Sequence, residues 1–592
     1  MNPPTASVRT TPSAAPTPDR HGTATGYARQ LVRKHRPTLE RALETIRTRA
    51  HWTPYPEDPQ AYGPDGAEAG EAAFGRSLHR HFALDQPGRD GVVGPSPAEG
   101  GERSPYGPEL GISYDHHDPA VLLPAMRAAM RRWNEAAVWT RAAVCAEILA
   151  RANARSHEFA QAAAHTSGLG DVLAFRAGAV HAQDRGLEAV AHAVAEQTRL
   201  PDTAAWRKPQ AGARPFVVDK GFTLRPRGVS LLIGDGVLPA WHGYPGLFAS
   251  LATGNAVLVK PHPRAVLPLA LTVGVARDVL RETGFDPDLV CLAPERPGEE
   301  LARTLATHPD VRIVDYAGSA AFGSWLTAHA RQAQVFTGPS AVRGLLIEST
   351  AHYRDMLADL AFGLALHSGR LRTTPRNLLI PRSGIPTDEG HKTYPEVVAD
   401  LGAALGTLLA DDGEASALLG APLGPEVLAR VDEAASGVLG EPAVRPRAVR
   451  HPRHPDAVLR TPAVVTLDAG RAEDLATLSA GWPGPVFFAV AVDSAAAGIE
   501  LLTRTAREQG ALSAVACTTS PDVEAALTDA CADAGITLSP NLRGNRYLTR
   551  SAVHSDPHGT GLGPAADAVH RDASFVTRRF RTLGVRRLGA PG

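Results

Sequence analysis

The sequence predicts an α/β protein in which a parallel sheet is covered by helices. Short apolar runs at Val229–Ile233 and 256–259 flank a helical stretch at 241–253, the alternation of a βαβ unit. A second segment further along the chain shows the same alternation. The chain has 592 residues, 43% hydrophobic and 21% charged, so it can form two or three packed domains.

The N-terminal part is predicted to be helical between irregular segments. Residues 1–25 are rich in Pro, Thr, Ala and Ser and predict a disordered leader. Apolar residues at helical spacing follow in 26–50, before a Pro-, Gly- and Asp-rich stretch over 51–112 that predicts a long irregular loop. We assign 26–115 to an N-terminal extension. Strong helical periodicity returns from 119 to 165 and continues to about 196.

A first α/β domain is assigned to 116–336. Beyond the βαβ unit above, it has a predicted helix at 265–282 and predicted strands at 289–290 and 311–314. Apolar triplets at 216–218 and 222–224 surround the turn-like Asp219-Lys220-Gly221. They predict a hairpin at about 215–226, which would serve oligomerisation if the protein assembles as a partner.

A second α/β domain is assigned to 337–540. Its predicted strands are 345–347, 378–380, 464–467 and Val486–Val492. Residues 541–592 are Gly- and Arg-rich and predict a C-terminal arm.

Charge and cysteine content exclude several classes of protein. The balance of 61 Lys+Arg against 62 Asp+Glu gives a net charge of -1, which argues against nucleic-acid and membrane-surface proteins. The longer apolar runs have the length of strands rather than of membrane spans. Four cysteines lie far apart, so neither a disulfide framework nor a zinc site is predicted. A cytoplasmic protein is expected.

Two motifs are better explained by local structure than by ligand binding. Asp115-His116-His117-Asp118 has metal-binding side chains, but four adjacent residues cannot all face one ion, so helix capping is predicted. Gly559-Thr560-Gly561-Leu562-Gly563 follows no apolar strand and is predicted to be a loop of the arm.

Three stretches resemble a known family. Residues 226–261 form a strand–helix–strand unit that ends in Lys260-Pro261, in a chain with five lysines. Residues 315–323 read Asp-Tyr-Ala-Gly-Ser-Ala-Ala-Phe-Gly. Residues 366–377 match a Gly-Gln-x-Cys loop followed by Thr-x-Pro-x-Asn at Gly369, Thr373, Pro375 and Asn377. In this order the motifs resemble the aldehyde dehydrogenase superfamily. With the run 181–190 and the N-terminal extension, the chain is most similar to PaaN-type proteins of phenylacetic acid degradation.

The resemblance implies a Rossmann-type cofactor domain, a catalytic-type domain and an oligomeric assembly, either a dimer or a tetramer. It implies NAD or NADP as cofactor and NAD(P)-dependent oxidation of an aldehyde as the family's activity. Lys260 takes the position that contacts the adenosine ribose. Gly318 and Ser319, in the turn that ends at Gly323, take the position that faces the pyrophosphate.

Departures from the family pattern are concentrated in the chemistry. Arg372 stands at the position of the nucleophilic cysteine, and an arginine cannot lose its proton to become a nucleophile. Gly338 stands at the position of the general base and Val237 at that of the oxyanion-hole asparagine. Gly481 replaces the glutamate that holds the nicotinamide ribose. Conventional oxidation is therefore not expected, and any NAD(P) should bind weakly, through its adenosine half.

Three functions remain open. In the first, the protein is a repurposed enzyme or ligand-binding protein for a small acyl, aldehyde-like or carboxylate molecule. Arg370, Arg372 and Arg376, with Asn377, would then line the old acyl tunnel, where arginines could clamp a carboxylate. In the second, it is a non-catalytic oligomeric partner of an active paralogue. In the third, it is a residual oxidoreductase.

Overall fold

The structure is a computed structural model that describes residues 26–589 except 339–343, 373, 423, 481, 483, 512 and 542–572. The predicted leader 1–25, the loop at 559–563 and much of the predicted arm lie outside the described residues. So do Thr373 and Gly481 from the family motifs.

The N-terminal extension is more regular than the sequence predicted. It contains α1 (Gly26–Thr48), α2 (Gly66–Ser77) and a small sheet of β1 (His81–Phe82), β2 (Arg89–Val93) and β3 (Ser113–His117). The prediction of an irregular loop over 51–112 was therefore wrong at α2, β1 and β2 and holds for most of the remaining stretch. Proline and glycine mark the connections between short elements here, and α2 buries little besides Gly70 and Phe74, so its apolar signal is weak.

Five helices follow and form a layer under the extension. They are α3 (Pro119–Glu135), α4 (Val138–Asn153), α5 (Ser156–Ser167), α6 (Asp171–Phe175) and α7 (His181–Gln197). Asp118 caps α3 by accepting a hydrogen bond from the amide of Ala120, and Pro119 follows at the first helical position. The capping prediction for the 115–118 motif is thus confirmed at Asp118, while residues 115–117 lie in β3. Trp133 is fully buried, and its indole donates to the carbonyl of Leu251 at 2.9 Å.

The first large sheet is parallel throughout, with strand order β10-β9-β6-β7-β8. Its strands and helices are β6 (Val229–Ile233), α8 (Pro239–Ala252), β7 (Ala256–Lys260), α9 (Leu267–Glu282), β8 (Val290–Leu292), α10 (Leu301–Thr307), β9 (Val311–Ala317), α11 (Ala320–His329) and β10 (Gln334–Gly338). Register pairs Ile233 with both Lys260 and Tyr316. Strands lie about 4.8 Å apart, so these two flanking residues are about 10 Å apart at the carboxyl edge.

The second large sheet has the order β15-β18-β19-β12-β11-β20-β21, and all its neighbours run parallel except β15. Its strands are β11 (Gly344–Ile347), β12 (Asn377–Pro381), β15 (Glu441–Val444), β18 (Ala463–Asp468), β19 (Val486–Val492), β20 (Ser513–Cys517) and β21 (Thr537–Pro540). Helices α12 (Tyr353–Ala365), α13 (Tyr394–Leu408), α14 (Asp412–Leu419), α15 (Pro425–Ala435), α16 (Ala472–Ser479), α17 (Ala495–Gln509) and α18 (Pro521–Asp533) accompany it. Two short pairs complete it: β13 (Ile385–Thr387) with β14 (Gly390–Lys392), and β16 (Ala448–Val449) with β17 (Leu459–Arg460).

A third, antiparallel sheet protrudes from the first large sheet. It consists of β4 (Thr203–Gln210), β5 (Ala213–Pro226) and β22 (Phe580–Leu588), which follows the short helix α19 (Ala573–Thr577). The predicted hairpin was misplaced: residues 219–221 lie inside β5, and the turn is at 211–212. The central strand is held from both sides, which overrides the local turn signal of Asp219-Lys220-Gly221.

One face of this third sheet carries exposed apolar side chains. Register pairs Trp206 with Val218 and Val218 with Leu588, and Phe216 lies on the same face because strand residues two apart share a face. Trp206, Phe216 and Leu588 are all exposed. Among the helices of the described residues, none combines the length and the apolar content that crossing a bilayer requires.

Candidate functional site

The loop between α12 and β12 makes a left-handed turn. His367, Ser368 and Gly369 have φ values of 50°, 50° and 62°. At Gly369 a side chain is excluded, because a Cβ would lie 2.2 Å from the ring of Phe487. Histidine and serine are strained in this region of backbone conformation. The turn follows the end of α12, and Arg372 beyond it lies beside residues of the first large sheet.

Arg372 lies in a small cavity between this loop and the carboxyl edge of the first sheet. The cavity has a volume of about 70 Å³. Nη1 of Arg372 donates to the carbonyl of Gly338 at 3.1 Å. A Cβ on Gly338 would lie 2.8 Å from Nη1, so the glycine provides the space that the guanidinium occupies. Burial lowers the pKa of Arg372.

Asp235 and His242 form a second group at the cavity, one that sequence reasoning missed. Nδ1 of His242 is hydrogen-bonded to Oδ2 of Asp235. The other carboxylate oxygen accepts from the amides of Val237 at 3.1 Å and Leu238 at 2.9 Å. Val237 therefore contributes its backbone amide to Asp235. His242 also lines the cavity that holds Arg372.

The surroundings set the charges of this pair. Burial lowers the pKa of His242, and Arg372 and Arg185 lower it further, although Asp235 opposes them. Burial alone would raise the pKa of Asp235, but His242 and Arg372 hold it below its ordinary value. The carboxylate is thus ionised and the imidazole tends to be neutral at neutral pH.

Arg185 reaches the cavity from α7. Its Nε donates to the carbonyl of Trp241 at 2.9 Å, and its guanidinium lies 4.5 Å from the centre of the Trp241 ring. Two arginines and one histidine therefore line the same small space. This arrangement favours an anionic or strongly polarised group.

Asp315, in the lining of the cavity, forms an ion pair with Arg579 of the C-terminal segment. The two Nη atoms of Arg579 donate to the two oxygens of Asp315 at 2.7 and 2.6 Å. The guanidinium lies 4.3 Å from the ring centre of Phe336 and 4.1 Å from that of Phe575. Asp315 packs so closely on α8 that a Cβ at Gly246 would lie 2.5 Å from its carboxyl carbon.

The predicted three-arginine clamp does not form at this cavity. Arg372 lines it, whereas Arg370 is engaged with the carbonyl of Pro422, and Arg376 lies 5.6 Å from the centre of the Phe487 ring. Asn377 is buried and begins β12, paired in register with Gly344 and Phe488. The three side chains therefore have different partners and do not face one ligand at this cavity.

The carboxyl edge of the first sheet carries a second polar group. Lys260 forms an ion pair with Oε2 of Glu295, whose other oxygen accepts from the amide of Leu301 at 3.0 Å. Oγ of Ser319 accepts from the amide of Phe322 and so caps α11. A Cβ on Gly318 would lie 2.1 Å from the hydroxyl oxygen of Tyr316, so this ring lies directly over the turn. Gly323 packs in ordinary contact distance of Thr337.

Comparison with known proteins decides the family. The model of the aldehyde dehydrogenase family matches residues 114–437, more than half of the chain. This chain belongs to the aldehyde dehydrogenase family. A solved structure described as an NAD-dependent aldehyde dehydrogenase from Burkholderia multivorans is 43% identical, covers 95% of this chain and 99% of its own, and superposes with a TM-score of 0.90.

More distant relatives agree on the fold. A 1-pyrroline-5-carboxylate dehydrogenase from Thermus with bound NAD is 16% identical, covers 91% of this chain and 100% of its own, and has a TM-score of 0.69. Among curated proteins, the aldehyde dehydrogenases citD of Monascus ruber and mpl4 of Monascus purpureus are each 28% identical over 194 residues. These matches span 32% of this chain and 35% of the curated relatives.

The family implies a dinucleotide, and the edge of the first sheet fits its adenosine half. Lys260 offers a donor and Glu295 an acceptor for ribose hydroxyls, and the start of α11 lies across the same edge for the pyrophosphate. Lys260 and Ser319 are held by internal partners, so a nucleotide must compete for them. When bound, the dinucleotide would supply a hydride acceptor. The described residues also contain no group of three His, Cys, Asp or Glu side chains placed to hold a metal.

The four cysteines lie away from the Arg372 cavity. Cys145, Cys291 and Cys531 are buried and Cys517 is half-buried. Burial raises the pKa of Cys517 to about 12 and that of Cys531 to about 11, so both are protonated thiols at neutral pH. Cys517 instead lines a larger cavity of about 720 Å³ beside α12 and α18. Of the residues singled out from the sequence, Arg372 and Gly338 line the smaller one.

Proposed function

We propose that this protein binds a small carboxylate or acyl compound at the Arg372 cavity and does not oxidise aldehydes through a covalent thiol intermediate. The observation that carries this is the place of Arg372, which lies in the loop where the family resemblance puts the nucleophile. A guanidinium cannot attack a carbonyl carbon, but it pairs strongly with a carboxylate or a polarised carbonyl oxygen.

The size and lining of the cavity support a small ligand. About 70 Å³ is far below the roughly 300–1,000 Å³ of pockets for drug-sized molecules, so a carboxylate or a short acyl group matches the space. Arg372, Arg185 and His242 give the lining its polar character. The similarity to PaaN-type proteins suggests a place in aromatic or secondary metabolism, in the cytoplasm.

Loss of conventional oxidation extends beyond the missing thiol. A thiohemiacetal route also needs a carboxylate to activate water and a side-chain amide to hold the oxyanion. Gly338 offers no carboxylate, and the side chain of Val237 offers no amide. We infer that NAD or NADP, where it binds, is held weakly through Lys260, Glu295 and the start of α11.

Calorimetry tests this proposal directly. Acetate, propionate and phenylacetate are titrated into the unmodified protein, into Arg372→Gln and into Arg264→Gln, in which an exposed arginine outside the cavity is changed. We expect binding that Arg372→Gln weakens at least about tenfold, the equivalent of 1.4 kcal/mol, and that Arg264→Gln leaves unchanged.

Two further readouts can contradict the proposal. NADH or NADPH production by the unmodified protein, with a panel of aliphatic and aromatic aldehydes, would overturn it in favour of residual oxidoreductase activity. NAD, NADP and ADP are also compared by titration, and a dinucleotide that binds far more tightly than ADP would contradict the weak-cofactor part.

A second candidate function is that of a non-catalytic oligomeric partner. The exposed face formed by Trp206, Phe216 and Leu588 favours it, because clustered apolar side chains on a protruding sheet are typical of subunit contacts. The occupant we propose is a second copy of this chain, in a dimer or a tetramer. Native mass spectrometry of Phe216→Asp beside Arg207→Asp, which changes an exposed residue on the opposite face of the sheet, separates a loss of the apolar contact from a general effect of charge.

A further inference from the structure

We propose that His242, held by Asp235, is a general base that activates water in the Arg372 cavity and hydrolyses a short-chain carboxylic ester or thioester. The proposal rests on the proposed function in one respect: Arg372 is taken to hold the acyl oxygen. It goes beyond that function by assigning a reaction and a catalytic pair.

The geometry of the pair fixes the tautomer of the imidazole. Asp235 is ionised and can only accept, so Nδ1 of His242 carries the proton in their hydrogen bond. In the neutral ring, Nε2 is then the basic atom. Asp235 is itself held by two backbone amides, those of Val237 and Leu238. A carboxylate that orients a histidine in this way is the supporting half of a catalytic triad.

The charged neighbours keep the imidazole in its basic form. Arg372 and Arg185 act on His242 directly, and both oppose its protonation. Asp235 favours protonation but does not outweigh burial, so the pKa of His242 lies below its ordinary value. Two histidines lie nearby, half-buried His262 and buried His367, and burial lowers their pKa values to about 4 and about 3 although Asp235 acts in the opposite direction.

Water is the nucleophile that the lining allows. The described residues around the cavity include no cysteine, serine, threonine or lysine. Asp315 is engaged at both oxygens by Arg579. A volume of about 70 Å³ holds a short acyl group with one water molecule, given that a water takes about 30 Å³ in the liquid.

The reaction balances without an oxidant or a cofactor. Nε2 of His242 takes a proton from water while the water oxygen bonds to the acyl carbon. The carbonyl electron pair moves to its oxygen, where Arg372 stabilises the negative charge. The intermediate then collapses, the bond from carbon to the alcohol oxygen or thiol sulfur breaks, and the leaving group takes the proton from His242. The products are a carboxylic acid and an alcohol or thiol.

The experiment measures hydrolysis of para-nitrophenyl acetate from the release of nitrophenolate. We expect His242→Gln to lower kcat/KM by about 10²–10⁴. Arg372→Gln should lower it by about 10²–10³, as the loss of an oxyanion donor does. If His242→Gln folds poorly, Asp235→Asn tests the same base, because it removes the carboxylate that orients His242. His262→Gln is the matched control, a neighbouring histidine of low pKa that does not line the cavity, and it should keep the unmodified rate.

The pH profile provides a readout that a structural role would not move. We expect kcat/KM of the unmodified protein to be level near pH 7 and to fall with one proton below the ordinary histidine pKa of about 6.5. Hydrolysis that His242→Gln and His262→Gln leave equal, or an acid-side fall in kcat/KM whose midpoint lies above the ordinary histidine pKa of about 6.5, would overturn the proposal. If the protein binds carboxylates through Arg372 but hydrolyses no ester, the hydrolysis proposal fails and the proposed function stands. If it binds no carboxylate, both the proposed function and the hydrolysis proposal fail.

Discussion

Two arginines, one in the lining of the cavity and one behind it, are held in different ways. Arg579 is fully buried, and both oxygens of Asp315, the hydroxyl of Ser250 and two aromatic rings surround its guanidinium. Arg372 instead donates to a backbone carbonyl and acts on Asp235, whose carboxylate is already bonded to His242. Arg579 has a structural role, because both oxygens of Asp315 accept its hydrogen bonds inside the protein. Arg372 is coupled to a group that titrates, as expected of a residue that meets a ligand.

The largest effect should come from the structural arginine, Arg579. Arg579→Met leaves Asp315 buried without its bidentate partner, and breaking a buried ion pair from one side costs about 3–5 kcal/mol. Urea unfolding of the purified variant measures this. Arg578→Met is the matched control, because Arg578 is exposed next to it in the chain, and it should change stability little. Equal midpoints for the two variants would show that the C-terminal segment does not anchor the cavity.

A smaller effect is expected where Gly338 makes room for Arg372. Gly338→Ala places a Cβ 2.8 Å from the present position of Nη1, so the guanidinium must move from the carbonyl it contacts. Nη1 is the far end of a flexible side chain, so the unfolding free energy should change by about 1 kcal/mol or less, while carboxylate binding weakens about tenfold.

Gly344→Ala provides the control for that substitution. A Cβ there would meet Leu502 at 3.6 Å, an ordinary contact, in a strand of the other large sheet. Titration calorimetry and urea unfolding are run on both variants. If carboxylate binding is unchanged in Gly338→Ala, Arg372 does not hold the ligand. Arg372 and Arg579 would then both be structural residues.

The strands of the large sheets could be read from the sequence, and the contacts of the site could not. Val229–Ile233 and Val486–Val492 were predicted with their observed bounds, because strands buried on both faces are uninterrupted apolar runs. The middle strand of the third sheet was misread as a hairpin, since one of its partners comes from residues 580–588, far along the chain.

In the site, too, some features could be predicted from the sequence and others depended on the fold. Arg372, Gly338 and Val237 were found through motif positions, whereas the pairing of Asp235 with His242 depends on how one turn places two side chains. No spacing rule for helices or strands links these residues. For the same reason, the sequence could not tell that Arg370 and Arg376 are engaged away from the cavity.

The smallest effect should come from restoring a thiol. If Arg372 were the whole departure from the family's chemistry, Arg372→Cys would oxidise aldehydes. We expect no NADH or NADPH production above background, with aliphatic, aromatic and CoA-linked aldehydes, because the thiol would have no carboxylate at Gly338 and no side-chain amide at Val237. Loss of one oxyanion donor alone typically costs about 10²–10³ in rate.

Combining Arg372→Cys with Gly338→Glu and Val237→Asn is the stronger trial of the same idea. It supplies a thiol, a carboxylate and an amide, but Asp235 still holds the amides of Val237 and Leu238, and His242 still stands at the cavity. These groups suit a neutral base beside a fixed cation, so we expect the combined variant to remain a poor dehydrogenase. Aldehyde oxidation by Arg372→Cys alone would mean that the residues around position 372 still support oxidation through a thiol. Arg372 itself would then be the whole departure from the family's chemistry.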